Sequence, residues 1–420
     1  MSLERPLQEL PSLSENLESS LLGSQRSKRP KRPHAACLDA ENTPQELIQN
    51  WSPPHKHQRV ADKGKENEEN VFILARRPRK RRDSLGVCWD HLPDELLLRI
   101  LSCLSLRDLL RTSRVCKRWH QLSFDESLWQ SVDLEGKVRL GNALGQVLSA
   151  GTQRLRCPHT SIGEPGFTHK EPLRVQHMDL SGCTVSADVV YDIISRCAQL
   201  QNLSLEGLAL SDGILQSLAQ NPQLVRLNLS GCSGFSSATL AQMLQSCTRL
   251  TELNVSWCDF SNEHVKAVVS NVTPSVSQLN ISGYRQNLTM EDLRCLVERC
   301  PSIVHLDLSD SVLVTIDSFP ILQQLSSLRH LGLSRCYQIH PAALLEFERF
   351  AELQTLEVFG LVQDAHLPAL MKELPNLRLN SQRFTPIARP TPSGRGTSGT
   401  SGTGTSAAMW GLPCSLVYRL

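Results

Sequence analysis

Apolar and polar residues follow one phrase that recurs through the chain from Val175 to Leu379. The phrase reads apolar-x-x-apolar-x-apolar, as in Val175-x-x-Met178-x-Leu180. Its further copies begin at Leu200, Leu224, Leu250, Val276, Ile303, Leu328 and Leu353, with a shortened copy at Leu377. Successive copies begin 24 to 27 residues apart. The alternation predicts one short strand per unit, and the residues between phrases leave room for a helix. Because one unit cannot bury its own apolar face, we expect the units to stack.

The phrase and its spacing resemble the leucine-rich repeat. The resemblance implies an α/β fold, a solenoid with a parallel β-sheet inside and helices outside. Trp129-x-x-Val132-x-Leu134 and Leu155 carry parts of the phrase, so we expect imperfect units before Val175. Residues 157–172 are rich in proline and glycine, which predicts an irregular loop or a degenerate repeat.

A different, helical pattern occupies residues 89–129. After an extended entry, Pro93 stands where the first turn of a helix is expected. The apolar residues of that helix fall on one face: Leu97, Ile100, Leu101 and Leu104. We expect Leu106-Arg107-Asp108 to break it, a second helix at 109–115 and a third at 116–123. Helices this short cannot hide so many leucines, so the module is predicted to need a partner.

The opening Leu92-Pro93-x-Glu95-Leu96-Leu97 and the later Val115-Cys116-Lys117-x-Trp119 resemble the F-box. The resemblance implies binding to the Skp adaptor of a cullin-based ubiquitin ligase. The residues predicted to face the adaptor or to pack the module are Leu92, Pro93, Leu96, Leu97, Ile100, Leu104, Leu109, Leu110, Val115 and Trp119. The alternative is a self-contained helical cap on the first repeat. With no Gly/Ser spacer between the modules, we expect rigid packing.

The second residue after the last apolar residue of each phrase is usually glycine. The sequence has Gly182, Gly207, Gly231, Gly283 and Gly360 there, which suits the bend that leaves a strand. The exceptions are Trp257, Asp310 and Arg335. With Arg285, Tyr284 and Tyr337 nearby, they have the composition of a protein-binding hot spot. The alternative is that the aromatic residues belong to the core and the charged residues are solvated.

The residue between the last two apolar positions should face the concave side of the solenoid. That row is polar and without lysine or arginine: Asp179, Ser204, Asn228, Asn254, Asn280, Asp307, Gly332 and Glu357. Such a row predicts no binding of a phosphate backbone. His177, His305 and His330 share a neighbouring column, where we expect surface histidines, no metal and no cofactor.

Composition narrows the class of protein. The chain of 420 residues has a formal net charge of +2 and 14 cysteines. Many cysteines occupy recurring slots in the repeat, and no Cys-x-x-Cys occurs, which indicates small buried thiols in a reducing compartment. We find no signal peptide and no apolar run long enough for a membrane.

Residues 1–88 are predicted to form a disordered regulatory segment. Its second basic cluster contains Arg79, Lys80, Arg81 and Arg82, followed by Ser84, a candidate phosphorylation site. Together with an earlier basic run near Lys28, it indicates nuclear import, so the predicted location is nucleus and cytoplasm. The other predicted boundaries are an F-box at 89–130, the solenoid at 131–384 and a tail at 385–420. The tail contains a Gly/Ser/Thr-rich linker and possesses an apolar end that could return to the concave face.

The resemblance narrows further, to receptors of the S-phase kinase-associated protein 2 type. Val225-Arg-Leu-Asn-Leu-Ser-Gly-Cys-Ser-Gly-Phe235 and the turn Ser282-Gly-Tyr284-Arg285 carry it, over residues 89–390. It implies a non-catalytic subunit that presents a phosphorylated cyclin-dependent-kinase inhibitor. It also implies a Cks-family accessory protein docked at Trp257, Arg285, Asp310 and Arg335, and cyclin A contacting residues 7–11.

Two other classes stay open at this point. One is a repeat-based binding or inhibitor protein without a ligase link. The other, a nuclear protein that binds nucleic acid through its basic runs, would show a salt-sensitive affinity. We expect no membrane partner and no specific nucleic acid.

Overall fold

The computed structural model describes residues 89–136, 140, 142–167, 171–391 and 408–417. The predicted disordered segment, including Ser84, Arg79, Lys80, Arg81 and Arg82, lies outside the described residues. So does the Gly/Ser/Thr-rich linker at 392–407.

The N-terminal module begins with a short 3-10 helix, Trp89–His91. Three α-helices follow: α1 Asp94–Leu101, α2 Leu106–Thr112 and α3 Lys117–Ser123. The predicted break at Leu106–Asp108 is wrong, because these residues are the first turn of α2. The Ser105 hydroxyl caps that turn by accepting the Asp108 N–H (3.3 Å) and donating to the Asp108 carboxylate (2.8 Å).

The solenoid alternates short strands with helices or turns. Its strands are β1 Ser131–Asp133, β2 Arg154–Arg156, β3 His177–Asp179, β4 Asn202–Ser204, β5 Arg226–Asn228, β6 Glu252–Asn254, β7 Gln278–Asn280, β8 His305–Asp307, β9 His330–Gly332, β10 Thr355–Glu357 and β11 Arg378–Leu379. Its helices are α4 Asn142–Ser149, α5 Ala187–Ile194, α6 Asp212–Leu218, α7 Ser237–Ser246, α8 Asn262–Asn271, α9 Met290–Arg299, α10 Phe319–Leu322 and α11 Leu367–Glu373. The 3-10 helices Ile316–Ser318 and Pro341–Arg349 replace regular helix in later units. The predicted α/β solenoid is confirmed.

One parallel sheet runs through all the units. Its order is β11 to β1 in sequence, and the strand β14 Leu416–Val417 pairs with the outer edge of β1. The register repeats without slippage, so Leu203 lies beside Met178 on one side and Leu227 on the other. Consequently, the central apolar residues of neighbouring strands form one continuous buried column. The phrases at Val132 and Leu155 supply β1 and β2, so the imperfect units belong to the same sheet.

The recurring cysteines bond one repeat to the one before it. The thiols of Cys232, Cys258 and Cys336 donate to the carbonyls of Leu205 (3.1 Å), Leu229 (3.0 Å) and Leu308 (3.4 Å). Burial raises the pKa of Cys258 and of Cys336 to about 12. These thiols therefore act as small neutral core groups with a weak donor.

A buried tryptophan joins the helical module to the solenoid. Trp129 has no exposed surface, stacks on Phe124 with ring centroids 5.8 Å apart, and donates from Nε1 to the Ser123 carbonyl (2.9 Å). On the solenoid side, the Thr152 hydroxyl donates to the Trp129 carbonyl (3.0 Å). Leu97, Leu109 and the solenoid leucines belong to one apolar cluster. The two modules therefore pack on each other directly.

Truncating this joint should destabilise the protein. We expect Trp129→Ala to lower the free energy of unfolding by about 3–5 kcal/mol, the usual effect of removing a fully buried aromatic side chain. Urea unfolding followed by circular dichroism measures it. Trp89→Ala is the matched control, because Trp89 is mostly exposed and its truncation should change stability by about 1 kcal/mol or less. Equal effects of the two substitutions would contradict the role of Trp129.

Candidate functional site

The helical module presents apolar side chains to solvent. Leu96 and Ile100 lie one turn apart on α1 and are both exposed, and Val115, between α2 and α3, is 64% exposed. Trp89 is exposed too, and its ring meets that of Trp119 edge-on at 5.6 Å. Exposed apolar residues on so small a module indicate a surface for another protein. We call Trp89, Leu96, Ile100 and Val115 the module's apolar surface.

The structure divides the predicted adaptor residues into three groups by exposure. Leu97, Leu109 and Leu110 are buried and pack the module. Leu92, Leu104 and Trp119 are half-buried, and Pro93 is exposed alongside Leu96, Ile100 and Val115. The site prediction did not include Trp89, although the change in pattern at its position marked the start of the module.

Arg118 holds the entry segment on which Trp89 lies. Its guanidinium donates to the Asp94 carboxylate from Nε (2.8 Å) and to the carbonyl of Leu92, while Nη1 reaches the Trp89 carbonyl (3.4 Å). These bonds tie the start of the module to α3 and so keep Trp89 beside Trp119. Apolar periodicity carries no signal for such a charged clamp.

Each strand of the solenoid from β1 to β10 ends in a bend that contains a residue with positive φ. At most strands an Asn or Asp side chain accepts the N–H two residues later, as Asn228 does from Ser230 (3.0 Å) and Asn254 from Ser256 (3.1 Å). The next residue has a positive φ. These corner residues are Gly136, His159, Gly182, Gly207, Gly231, Trp257, Gly283, Asp310, Arg335 and Gly360. We call the set the corner column.

Four corner residues hold the left-handed conformation without being glycine. They are His159 (φ 53°), Trp257 (57°), Asp310 (59°) and Arg335 (59°). For such residues this conformation costs about 1 kcal/mol or more each. Backbone strain is kept where the side chain has a use, which favours the functional interpretation of Trp257, Asp310 and Arg335. His159 escaped the sequence analysis because its irregular unit lacks a complete phrase.

The residues of the predicted protein-binding hot spot have different environments. Arg335 and Asp310 form a bidentate ion pair between adjacent corners, with Arg335 Nε 2.7 Å from Asp310 Oδ1, and this hydrogen bonding raises the pKa of Arg335. Trp257 is 48% exposed and Tyr337 66%. Arg285 is exposed and is also in the left-handed region, with φ of 42°. We call Trp257, Arg285, Asp310, Arg335 and Tyr337 the rim.

Tyr284 does not belong to the accessible surface, so its assignment to the predicted hot spot is wrong. It is 3% exposed, because its ring stacks on Phe260 of the preceding unit with centroids 5.2 Å apart and planes at 6°. Burial raises the pKa of its phenol well above the ordinary value. The alternative that aromatic residues here belong to the core is right for Tyr284.

The polar row predicted on the concave face is largely buried. Asp179, Asn228, Asn254 and Asn280 are buried by the bends they cap. Arginines lie on this face as well. They were not predicted, because the predicted row contains only one position of each strand and begins at Asp179. Arg156 pairs with Asp133 (2.9 Å) and Glu135 (2.6 Å), and Arg226 pairs with Glu252 (2.7 Å). Arg154 is the first residue of β2.

The histidines of the concave face differ in exposure, since His177 is buried and His305 and His330 are half-buried. His177 is buried beside Asn202, with Nδ1 2.8 Å from the amide nitrogen. Its burial, together with the charges of Arg154 and Arg226, lowers its pKa to about 4. Burial and the neighbouring His330, 3.8 Å away between ring centroids, lower the pKa of His305 to about 4. Among the residues that the structure describes, no cluster of three or more His, Cys, Asp or Glu could hold a metal ion.

The segment after the last repeat crosses the concave face. The Asn254 amide donates to the Ile387 carbonyl (3.2 Å), the Ala388 N–H donates to Glu252 (3.2 Å), and Arg389 pairs with Glu206 (3.3 Å). A hairpin of β12 Ala408–Met409 and β13 Leu412–Pro413 carries Trp410. The backbone N–H of Trp410 donates to the Pro390 carbonyl (2.7 Å). Between the segment and the later strands lies a cavity of about 350 Å³ lined in part by Trp257 and Arg335.

Comparison with known families agrees with this layout. A family model described as "SKP2 LRR domain" matches residues 142–417, more than half of the chain. The chain belongs to the SKP2 LRR domain family. A second model, described as "F-box-like", matches residues 89–135. The chain therefore has the F-box and leucine-rich-repeat architecture of substrate receptors in SCF ubiquitin ligases.

Three F-box/LRR-repeat proteins share about a quarter of the aligned residues with this member of the SKP2 LRR domain family. It is 25% identical over 237 residues to "Putative F-box/LRR-repeat protein 9" of Arabidopsis thaliana, covering 54% of this chain and 89% of that protein. It is 24% identical to "Putative F-box/LRR-repeat protein 23" of the same plant, over 52% of this chain and 47% of that protein. With "F-box/LRR-repeat protein 21" of Mus musculus it shares 25% identity over 58% of this chain and 50% of that protein. The chain thus spans about half the length of the last two.

No helix among the described residues is long and apolar enough to cross a membrane.

The depressed pKa of His177 makes stability depend on pH. Histidine in an unfolded chain has a pKa of about 6.5, so between that pH and about 4 the unfolded state binds a proton that the native state does not. Acidification through this window must therefore destabilise the fold. We expect the loss of stability between pH 7 and pH 5, measured by urea unfolding, to be about 1–2 kcal/mol smaller in His177→Gln than in the wild type. Identical losses would contradict a neutral, buried His177.

Proposed function

We propose that this protein is the non-catalytic, substrate-binding subunit of an SCF ubiquitin ligase. The observation that carries the proposal is the module's apolar surface, which is exposed on a module packed rigidly against a repeat solenoid. Leu96, Ile100 and Val115 supply the contacts for a Skp-family adaptor, which links the chain to cullin and RING subunits. Leu97, Leu109 and Leu110 support this surface from beneath. Buried apolar area of this kind is the main driving force of protein association.

The rigid joint suits this role. Trp129 holds the adaptor-binding module and the solenoid in one orientation through its stacking on Phe124 and its bonds to Ser123 and Thr152. A substrate on the solenoid is then held at a fixed distance from the ubiquitin-carrying enzyme. The resulting rate enhancement comes from proximity and orientation, for which the receptor needs no catalytic group of its own.

The rim is the proposed docking surface for a Cks-family accessory protein. Trp257 offers a half-exposed aromatic ring, Arg285 an exposed guanidinium, and the Arg335–Asp310 pair fixed charges in a defined geometry. Aromatic and arginine side chains are the residue types that most often dominate binding energy at interfaces. The strained corners at Trp257, Asp310 and Arg335 support this role, since glycine would be the more stable choice at each.

We extend the proposal to the substrate through the family resemblance. The ligand is a threonine-phosphorylated cyclin-dependent-kinase inhibitor, marked in this way for proteasomal degradation during the cell cycle. The accessory protein supplies the phosphate site, since Arg156 and Arg226 on the concave face are already paired with carboxylates. Cyclin A contacts the N-terminal segment, whose basic clusters direct the protein to the nucleus as well as the cytoplasm.

The first test concerns the adaptor. Val115→Glu combined with Leu96→Glu should weaken binding of the full chain to the Skp adaptor by at least about a hundredfold, because charges would be buried in an apolar contact. Calorimetry measures the affinity. Tyr191→Glu is the control, because Tyr191 is an exposed apolar residue on α5, away from the module. If the wild-type protein does not bind the adaptor, the result would favour a repeat-based binding or inhibitor protein instead.

The second test concerns the rim. Arg285→Ala with Asp310→Ala should leave the adaptor affinity unchanged and weaken binding of the Cks-family protein by about a hundredfold, since two interface charges and the anchor of Arg335 are lost. The control is Arg294→Ala with Glu291→Ala, an exposed ion pair on α9 with a separation of 2.9 Å. Unchanged affinity in the rim variant would refute the docking surface.

A further inference from the structure

At three places in the corner column, a side chain lies over the backbone of the following corner, which is a glycine in each case. A Cβ built on Gly182 would lie 2.6 Å from His159 Nδ1, one on Gly283 would lie 2.6 Å from Trp257 Cδ2, and one on Gly360 would lie 3.1 Å from Arg335 Cγ. Each of these side chains therefore occupies the space that a side chain on the next corner would need.

Trp257 shows the consequence most clearly. A Cβ on Gly283 would come within 3.0 Å of three indole ring atoms, Cδ2, Cε3 and Cε2, so the ring lies flat against the glycine. The backbone on both sides is fixed, because Trp257 N–H donates to the Ser282 carbonyl (3.0 Å) and Gly283 N–H to the Ser309 carbonyl (2.9 Å). Neither corner can retreat without breaking bonds that hold the repeats together. The other part of the ring, about half, stays exposed.

We infer that Gly283 is a positioning residue: it is the shelf that fixes the Trp257 ring for docking of the partner protein. The inference rests on the proposed function, since it assigns Gly283 a part in accessory-protein binding. Gly283 would then be required for two reasons, of which only one is its own positive φ of 91°. The second reason, room for a neighbouring indole, separates it from the other corner glycines.

The solenoid itself supplies a matched control. Gly207 occupies the same corner three repeats before Gly283, with φ of 76°, and a Cβ there would meet nothing within 4 Å. Gly207→Ala therefore introduces the same kind of backbone strain without touching a side chain. Any effect that Gly283→Ala has beyond that of Gly207→Ala reports on the contact with Trp257.

The experiment measures two quantities on the full chain. Affinity for a Cks-family protein is measured by calorimetry, and the position of the indole by fluorine NMR of protein labelled with 5-fluorotryptophan. The chain has six tryptophans, and Trp257→Phe assigns the resonance. We expect Gly283→Ala to shift the Trp257 resonance and to weaken binding by roughly tenfold or more, the effect of displacing one central aromatic contact. Gly207→Ala should do neither.

A double-mutant cycle separates positioning from stability. Once Trp257→Ala has removed the ring, Gly283→Ala should change affinity and melting temperature no more than Gly207→Ala does in the same background. If Gly283→Ala alone is too unstable to bind, its melting temperature should recover when Trp257→Ala is added. Such a recovery supports the shelf, and a melting temperature that stays low overturns it.

The remaining outcomes distinguish the shelf from the proposed function. Wild-type protein that binds, together with Gly283→Ala that binds equally well or leaves the Trp257 resonance in place, overturns the shelf alone. Wild-type protein that does not bind the Cks-family protein overturns the accessory role in the proposed function, and the docking role of Gly283 falls with it.

Discussion

The bend at the end of each strand is the constraint on which the solenoid depends. A strand of three residues leaves the sheet through a corner with positive φ, and at most strands an Asn or Asp side chain accepts the backbone N–H two residues on. The corner repeats at every described strand from β1 to β10, which keeps the central leucines in register and the helices on the outside. Glycine meets the demand without strain. Every other residue at a corner carries strain, and its side chain must lie over the next repeat.

Much of the fold could be predicted from the sequence, because stacking repeats use the same local rules many times. The phrase around Leu203 specifies a strand by its own alternation, and its neighbours confirm the period. The departures at Trp257, Asp310 and Arg335 were visible for the same reason, since an exception is evident only against a rule. The start of α2 was predicted wrongly because the Ser105 hydroxyl determines it through its capping bond, and the pattern of leucines does not indicate that bond. The burial of Tyr284 depends on Phe260 in another unit, which no local pattern contains.

The candidate sites were less predictable than the fold, since exposure is decided by packing between distant segments. Leucines at 96 and 97 look alike in sequence, yet one faces solvent and the other the core. His159 occupies a corner in a unit too irregular to recognise, and Arg118 acts through carbonyl groups that any sequence provides. Arg156 was not predicted because the row of concave residues was taken to begin at Asp179, one strand later, and Arg154 and Arg226 occupy a different position of their strands.

The pairing of β14 with β1 has a consequence for the order in which the protein is made. The Ser415 hydroxyl bonds to the Ser131 carbonyl, 284 residues earlier in the chain, so the outer edge of the first strand is covered by a segment that leaves the ribosome long afterwards. Until then β1 presents unpaired backbone groups, which are a template for wrong pairing. The first repeat is thus translated early and completed late. A nascent chain arrested before β14 would need a chaperone, or another strand, at the edge that its own tail later fills.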